Sequence, residues 1–82
     1  MNRLVPVDEV ESTARELAVK LAAGPTRSLG QTKRLYRRSL VSDMVTCFAE
    51  EAAATALVSQ THDRIEGVKS LIEGRRPAFT GE

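Results

Sequence analysis

Apolar residues in this chain recur every three or four positions, and nowhere do they alternate every second position over a useful length. A repeat of three to four puts side chains on one stripe of a helix, whereas a half-buried strand needs a repeat of two. The chain is therefore expected to be all-α, a small bundle of three to four helices with no sheet. Glycine and proline supply the punctuation. Asp8 with Glu11 three residues later has the spacing of a capping box. Val10, Ala14, Leu17 and Leu21 then form one apolar stripe. Gly24-Pro25 stops this first helix, because glycine tolerates a left-handed cap and proline cannot extend the ladder.

Pro25 suits the first turn of a second helix, where its missing amide costs nothing. That helix is expected from about Thr26 to Ser39, with Leu29, Tyr36 and Leu40 in one sector. Gly30 inside it costs about 1 kcal/mol relative to alanine, and it permits close approach of another helix. The third helix is expected to begin near Ser42, as N-cap, with Asp43 favoured by the helix dipole, and to reach about Val58. Val45, Phe48, Ala49, Ala52, Ala53, Ala56 and Leu57 give it a broad surface of mostly small residues. The fourth is expected from near Asp63, with Glu66 at the capping-box position, and carries Ile65, Val68, Leu71 and Ile72. Gly74 fits its C-terminal cap and Pro77 prevents continuation. The tail, 75–82, is expected to be extended, anchored by Phe79 alone.

Eighty-two residues without an internal repeat or a long linker make one small domain spanning 1–82. Twelve Lys and Arg stand against eleven Asp and Glu, which gives no global electrostatic case for nucleic acid or an anionic membrane. Cys47 is alone and cannot form an internal disulfide, so a reducing compartment fits best. No apolar run approaches the roughly 20 residues needed to span a bilayer, and the N-terminus has no apolar signal core. The chain reads as cytoplasmic, with neither nucleic acid nor membrane as partner.

No residue stands out for catalysis. His62, the only histidine, sits beside a helix start, where a polar surface residue is normal. Cys47 lies beside Phe48 on an alanine-rich helix and has no base neighbour in sequence, so it reads as a small hydrophobe. Glu50 and Glu51 are adjacent and point about 100° apart on a helix, so they do not pair on one face. The five glycines, at positions 24, 30, 67, 74 and 81, form no phosphate loop, and no His/Cys cluster has zinc-ligand spacing. The cations are more suggestive. Arg27, Lys33, Arg34, Arg37 and Arg38 put five positive charges on one helix with no acid. Such a face can hold phosphates, sit in solvent or bridge to neighbouring acids. Arg75 and Arg76 form a smaller cluster, which a helix C-terminus favours through its dipole.

Several short phrases occur in order along the whole chain: Asn2-Arg3-Leu4-Val5-Pro6, Ala23-Gly24-Pro25, Thr32-Lys33, Asp63-x-x-Glu66-Gly67 and Arg76-Pro77-x-Phe79-x-Gly81. Together they resemble the C-terminal helical segment of the enoyl-CoA hydratase/isomerase (crotonase) family. The resemblance implies terminal helices that pack subunits into trimers, often paired as hexamers, and that help cover an acyl-CoA pocket. It implies that the chemistry resides on an N-terminal spiral of ββα units that this chain lacks. There, two backbone amides hold a thioester oxyanion and one or two glutamates move protons. The parent reaction would be hydration or isomerisation of an acyl-CoA through an oxyanion-stabilised enolate, with a coenzyme A thioester as substrate and no covalent cofactor. The chain itself would be an excised or truncated piece, inactive alone. Lys33, Arg75 and Arg76 are the candidate contacts to CoA phosphates. Family members often carry a lysine where this chain has Gly74, and some carry an adenine-contacting aromatic near the position of Thr55.

Two functional expectations follow. The first is a non-catalytic domain that associates with itself or with an N-terminal domain. The apolar area of the third and fourth helices exceeds what four short helices can bury, and at about 25 cal/mol per Å² exposing several such side chains costs several kcal/mol. The alternative is a free-standing helical module that binds nucleic acid or protein through the basic second helix.

Overall fold

The computed structural model describes residues 3–82; Met1 and Asn2, and so the first residue of the Asn2–Pro6 phrase, lie outside them. A 3-10 turn at Val7–Glu9 leads into α1 (Val10–Ala22), α2 (Thr26–Ser39), α3 (Met44–Ser59) and α4 (His62–Glu73). No strand occurs among the described residues, and the chain is all-helical as its periodicity predicts.

The helix ends depart from the local reading in instructive ways. Asp8 does not cap α1: it lies inside the 3-10 turn, and Glu9, at the cap position, has helical backbone and makes no side-chain cap bond. An N-cap side chain folds back on its helix from an extended backbone, which the turn denies to Asp8. Gly24 is not left-handed either, since among the described residues only Gly74 and Gly81 have positive φ. Its lack of a side chain matters because a Cβ there would sit 3.2 Å from both the Leu21 carbonyl oxygen and Leu29 Cδ1. Pro25 precedes α2 at its cap position, and its carbonyl accepts from the Leu29 amide at 3.0 Å.

At α3 the cap is Asp43 rather than Ser42. Its extended backbone lets one carboxylate accept from both the Thr46 amide and hydroxyl, each at 2.9 Å. Those bonds hold the Asp43 carboxyl below its ordinary pKa, the amide contributing most. Thr61, not Asp63, caps α4: its hydroxyl accepts from the Arg64 amide and donates to the Val58 carbonyl at 2.7 Å. Gly74 ends α4 in the left-handed region at φ 65°, with the Arg75 amide returning to Ser70 in the manner of a Schellman cap.

The helices lie in a flat, open layer. The molecule measures 42 × 39 × 19 Å, with a radius of gyration of 15.8 Å. A compact chain of this length would have about 12 Å. The main helix pairing is α2 along α3, with lighter contact between α1 and α2. Arg38 bridges that pair to Glu50 at 2.8 Å, which raises the guanidinium pKa through the bond to the carboxylate. Ala54 is the one apolar residue that is buried among those described, alongside three polar ones, Thr61, Asp63 and Ser70. The exposed area, 6986 Å², exceeds by roughly 2,000 Å² what a folded monomer of this mass shows.

Candidate functional site

Two features stand out: a polar clasp at one end of α4, and apolar surface left open along the layer. The clasp is built on the α4 face that carries Asp63, Glu66, Gly67 and Ser70, residues that helical geometry gathers within about 100° of one another. Beyond Gly74 the chain doubles back along this face. Arg75 donates to both oxygens of Glu66, at 2.6 and 2.9 Å, and to Glu73 at 2.6 Å. Glu66 also accepts from the Ala78 amide at 2.8 Å. One turn earlier, Asp63 accepts from the amides of Thr80 and Gly81 at 2.8 and 2.9 Å, one on each oxygen. Its own amide donates to the Glu82 carbonyl at 2.8 Å. The Phe79 ring passes over Gly67, where an added Cβ would meet Phe79 Cε1 at 3.7 Å.

The tail is thus held by two carboxylates as well as by its aromatic ring, a correction to the expectation that Phe79 anchors it alone. Glu66 is likewise not a capping-box partner, because Arg75 and the Ala78 amide occupy it. The Arg75 fork holds the Glu66 carboxyl down at about 2 and raises its own pKa in return. Nearly all of the Asp63 side chain is buried, so its charge is met by backbone amides in place of water.

The apolar surface runs across three helices. Met44 and Phe48 on α3, and Leu71 and Ile72 on α4, are 72%, 64%, 82% and 80% exposed, and Tyr36 on α2 and Leu40 just after it also stand out. Ile65, Val68 and Ile72, with Ser59, Arg64, Lys69 and Glu73 around them, line an open groove of about 530 Å³ on the face of α4 opposite the clasp. A smaller groove of about 340 Å³ brings Cys47, Glu50 and Glu51 beside Tyr36. Cys47 is half-buried and its thiol faces the Ser42 carbonyl at 4.0 Å. Glu50 is occupied by Arg38. His62 is exposed, with Glu82 at 3.7 Å as its carboxylate neighbour. No nucleophile–base pair is assembled by these contacts.

The three candidate phosphate contacts lie on two separate elements. Lys33 is exposed in the middle of α2, and Arg75 and Arg76 follow α4. Arg75 already carries two carboxylates, while Lys33 and Arg76 form no ion pair among the described residues, and nor do Arg27, Arg34 and Arg37. Gly74 is left-handed, so a lysine in its place would be strained. Thr55 is exposed on α3 and lines a shallow groove with Thr32 and Arg64.

A probable enoyl-CoA hydratase of Rhodobacter capsulatus is 32% identical to this chain over 77 residues, 94% of the chain and 30% of that protein. The whole chain superposes on a crystal structure of an enoyl-CoA hydratase from Geobacillus kaustophilus with a TM-score of 0.93 at 26% identity. The chain is similar to a part of enoyl-CoA hydratase/isomerase family members. A second crystal structure, a probable enoyl-CoA hydratase/isomerase from Mycobacterium abscessus, aligns over the full chain with a TM-score of 0.83 and 30% identity. The chain spans about a third of these relatives, 31% of the first structure and 32% of the second. No protein-family profile matches it. Within the enoyl-CoA hydratase/isomerase likeness, the clasp accounts for two of the phrases that carry it. Asp63, Glu66 and Gly67 each receive a part of the segment that contains Pro77, Phe79 and Gly81.

The residues that sequence reasoning missed were the clasp partners. Asp63 and Glu66 sit where caps are expected, and their spacing alone favours that role. The one available signal was their recurrence with a distant Arg-Pro-x-Phe-x-Gly phrase.

Proposed function

We propose that this chain is the C-terminal association domain of an enoyl-CoA hydratase/isomerase-type protein, non-catalytic by itself. Its helices pack against other protein, either an N-terminal domain or further copies in a trimer-type assembly, and help wall the acyl-CoA pocket. The parent reaction is hydration or isomerisation of an acyl-CoA thioester through an oxyanion-stabilised enolate, carried out in the cytoplasm. The observation that carries this reading is the open apolar layer in a chain whose fold matches about one third of solved enoyl-CoA hydratases. An interface buries about 800 Å² on each partner, so the excess surface is ample for one or more. Among the described residues no helix is long and apolar enough to cross a membrane.

Lys33 and Arg76 are the better-placed phosphate contacts, since each is exposed and forms no ion pair among the described residues. Arg75 would have to release Glu66 and Glu73 first. The experiment is sedimentation of the isolated chain together with dye binding and a crotonyl-CoA hydration assay. Self-association or dye-accessible apolar surface, with no turnover, is the expected result. A rigid monomer that binds no dye, or one that hydrates crotonyl-CoA, would refute the reading.

The alternative, a nucleic-acid module, draws on Arg27, Lys33, Arg34 and Arg37 of α2, which form no ion pair among the described residues. Affinity for duplex DNA that falls steeply between two salt concentrations would favour it, and salt-indifferent binding would remove it.

A further inference from the structure

Helix α4 has two attachments to the rest of the molecule. One is the short Gln60–Thr61 link from α3. The other is the doubled-back segment 75–82, whose tip reaches the start of α2: a methyl group placed on Gly81 would stand 2.7 Å from Thr26 Oγ1. Gly81 has φ 83°, so the approach depends on glycine both sterically and conformationally. Direct pairing of α4 with the other helices is slight by comparison with α2 on α3.

On α4 the two faces are opposite. Asp63, Glu66, Gly67 and Ser70 hold the segment, while Ile65, Val68 and Ile72, about half a turn away, face outward. The buried polar residues of the chain cluster here, so this is the best-sequestered part of an otherwise open layer.

We propose that segment 75–82 is an orienting strap: by bracing α4 against the N-terminus of α2 it fixes the direction in which Ile65, Val68 and Ile72 are offered to a second copy of this chain. Its last clause rests on the association role proposed above. The strap works because the amides of Ala78, Thr80 and Gly81 bond to Glu66 and Asp63, carboxylates on a rigid helix. It therefore costs little further side-chain ordering when a partner arrives. The hinge it restrains is the Gln60–Thr61 link, where α3 ends and the next backbone is extended.

The test uses the full 82-residue chain with NMR and sedimentation. In the unaltered chain, residual dipolar couplings of α4 and of the α2–α3 pair should fit one common alignment, and the Thr80 and Gly81 amides should be protected from exchange. Gly81→Ala should separate the two alignments while circular dichroism shows the helices intact, because the added methyl group displaces the tip from Thr26. Asp63→Ala should speed exchange at Thr80 and Gly81 by about tenfold or more, the size expected for a lost charge-assisted bond. Ala78, held by Glu66, should remain protected in Gly81→Ala, which distinguishes a freed tip from an unfolded helix. Both variants should associate more weakly than the unaltered chain.

A common alignment that persists in both variants would overturn the strap. So would Thr80 and Gly81 amides that already exchange freely in the unaltered chain. If the alignments separate but the unaltered chain never associates, the strap stands and the association reading falls. If association is strong and equal in all three proteins, the strap's role in docking is refuted while the association reading survives.

Discussion

Arg75 takes hold of Glu66 with both terminal nitrogens of its guanidinium group, across nine positions of sequence and around the left-handed turn at Gly74. The planar fork matches the two carboxylate oxygens, so the pair fixes an angle as well as a distance. Glu73 on the same arginine and the Ala78 amide on the same carboxylate complete the arrangement.

Acid should loosen this clasp. The carboxyl of Glu66 titrates at about 2 in the folded chain against 4.5 ordinarily, because Arg75 and the Ala78 amide favour its charged form. The unfolded chain thus binds the proton more readily, and stability rises with pH between those two values. The contribution is fully present above about 4.5 and is lost as pH falls through about 2. Thermal melting followed from pH 5 down to pH 2 should show this decline, and Glu66→Gln should flatten it while lowering the melting temperature at pH 5.

Two glycine substitutions should have opposite signs. Gly30 sits inside α2 with nothing within 4 Å of an added Cβ. Gly30→Ala should stabilise the isolated chain by about 1 kcal/mol through helix propensity. Gly74 also has open space but adopts φ 65°, so Gly74→Ala should destabilise by about 1 kcal/mol or more. Urea titration of both variants checks the signs. Should Gly30→Ala nonetheless weaken self-association, a partner backbone approaches α2 at that point.

The Thr61 hydroxyl joins the end of α3 to the start of α4, donating to Val58 and accepting from Arg64. Loss of an N-cap of this kind costs about 1–2 kcal/mol. Thr61→Ala should therefore lower stability by that amount in denaturant unfolding, and Thr61→Ser should restore most of it.

Exposed apolar residues on α4 should be needed for association and dispensable for folding. Leu71 and Ile72 are about four-fifths exposed, so replacing both by Asp removes no buried contact. Burying one such side chain at an interface is worth about 1.5–3 kcal/mol, which is tenfold or more in affinity. Sedimentation should show markedly weaker association for Leu71→Asp/Ile72→Asp, with helix content by circular dichroism unchanged.

Much of the fold was legible along the chain. Helices α2 and α4 begin and end within a residue of where punctuation puts them, and α3 within two residues at its start and one at its end. All of this depends on interactions within about four positions, the range over which side-chain periodicity and caps operate. Even locally, competition misled the reading where two residues suited one role. Asp43 took the cap expected of Ser42, its extended backbone letting the carboxylate reach the Thr46 amide, and extended Thr61 took that of Asp63, which lies inside the helix.

The sequence by itself determined the helical class, narrowed the helices to three or four and carried the likeness to the enoyl-CoA hydratase/isomerase family, since these rest on short-range pattern and on phrases in fixed order. Only the tertiary structure decided that Asp63 and Glu66 serve a strap, that Arg75 is taken and Arg76 is not, and that the helices spread into a layer and leave their apolar sides open. Those outcomes come from contacts between positions far apart along the chain, such as Asp63 and the Gly81 amide, eighteen residues away. Such contacts exist only once the chain has turned back at Gly74 and both ends of each bond have been brought to the same place.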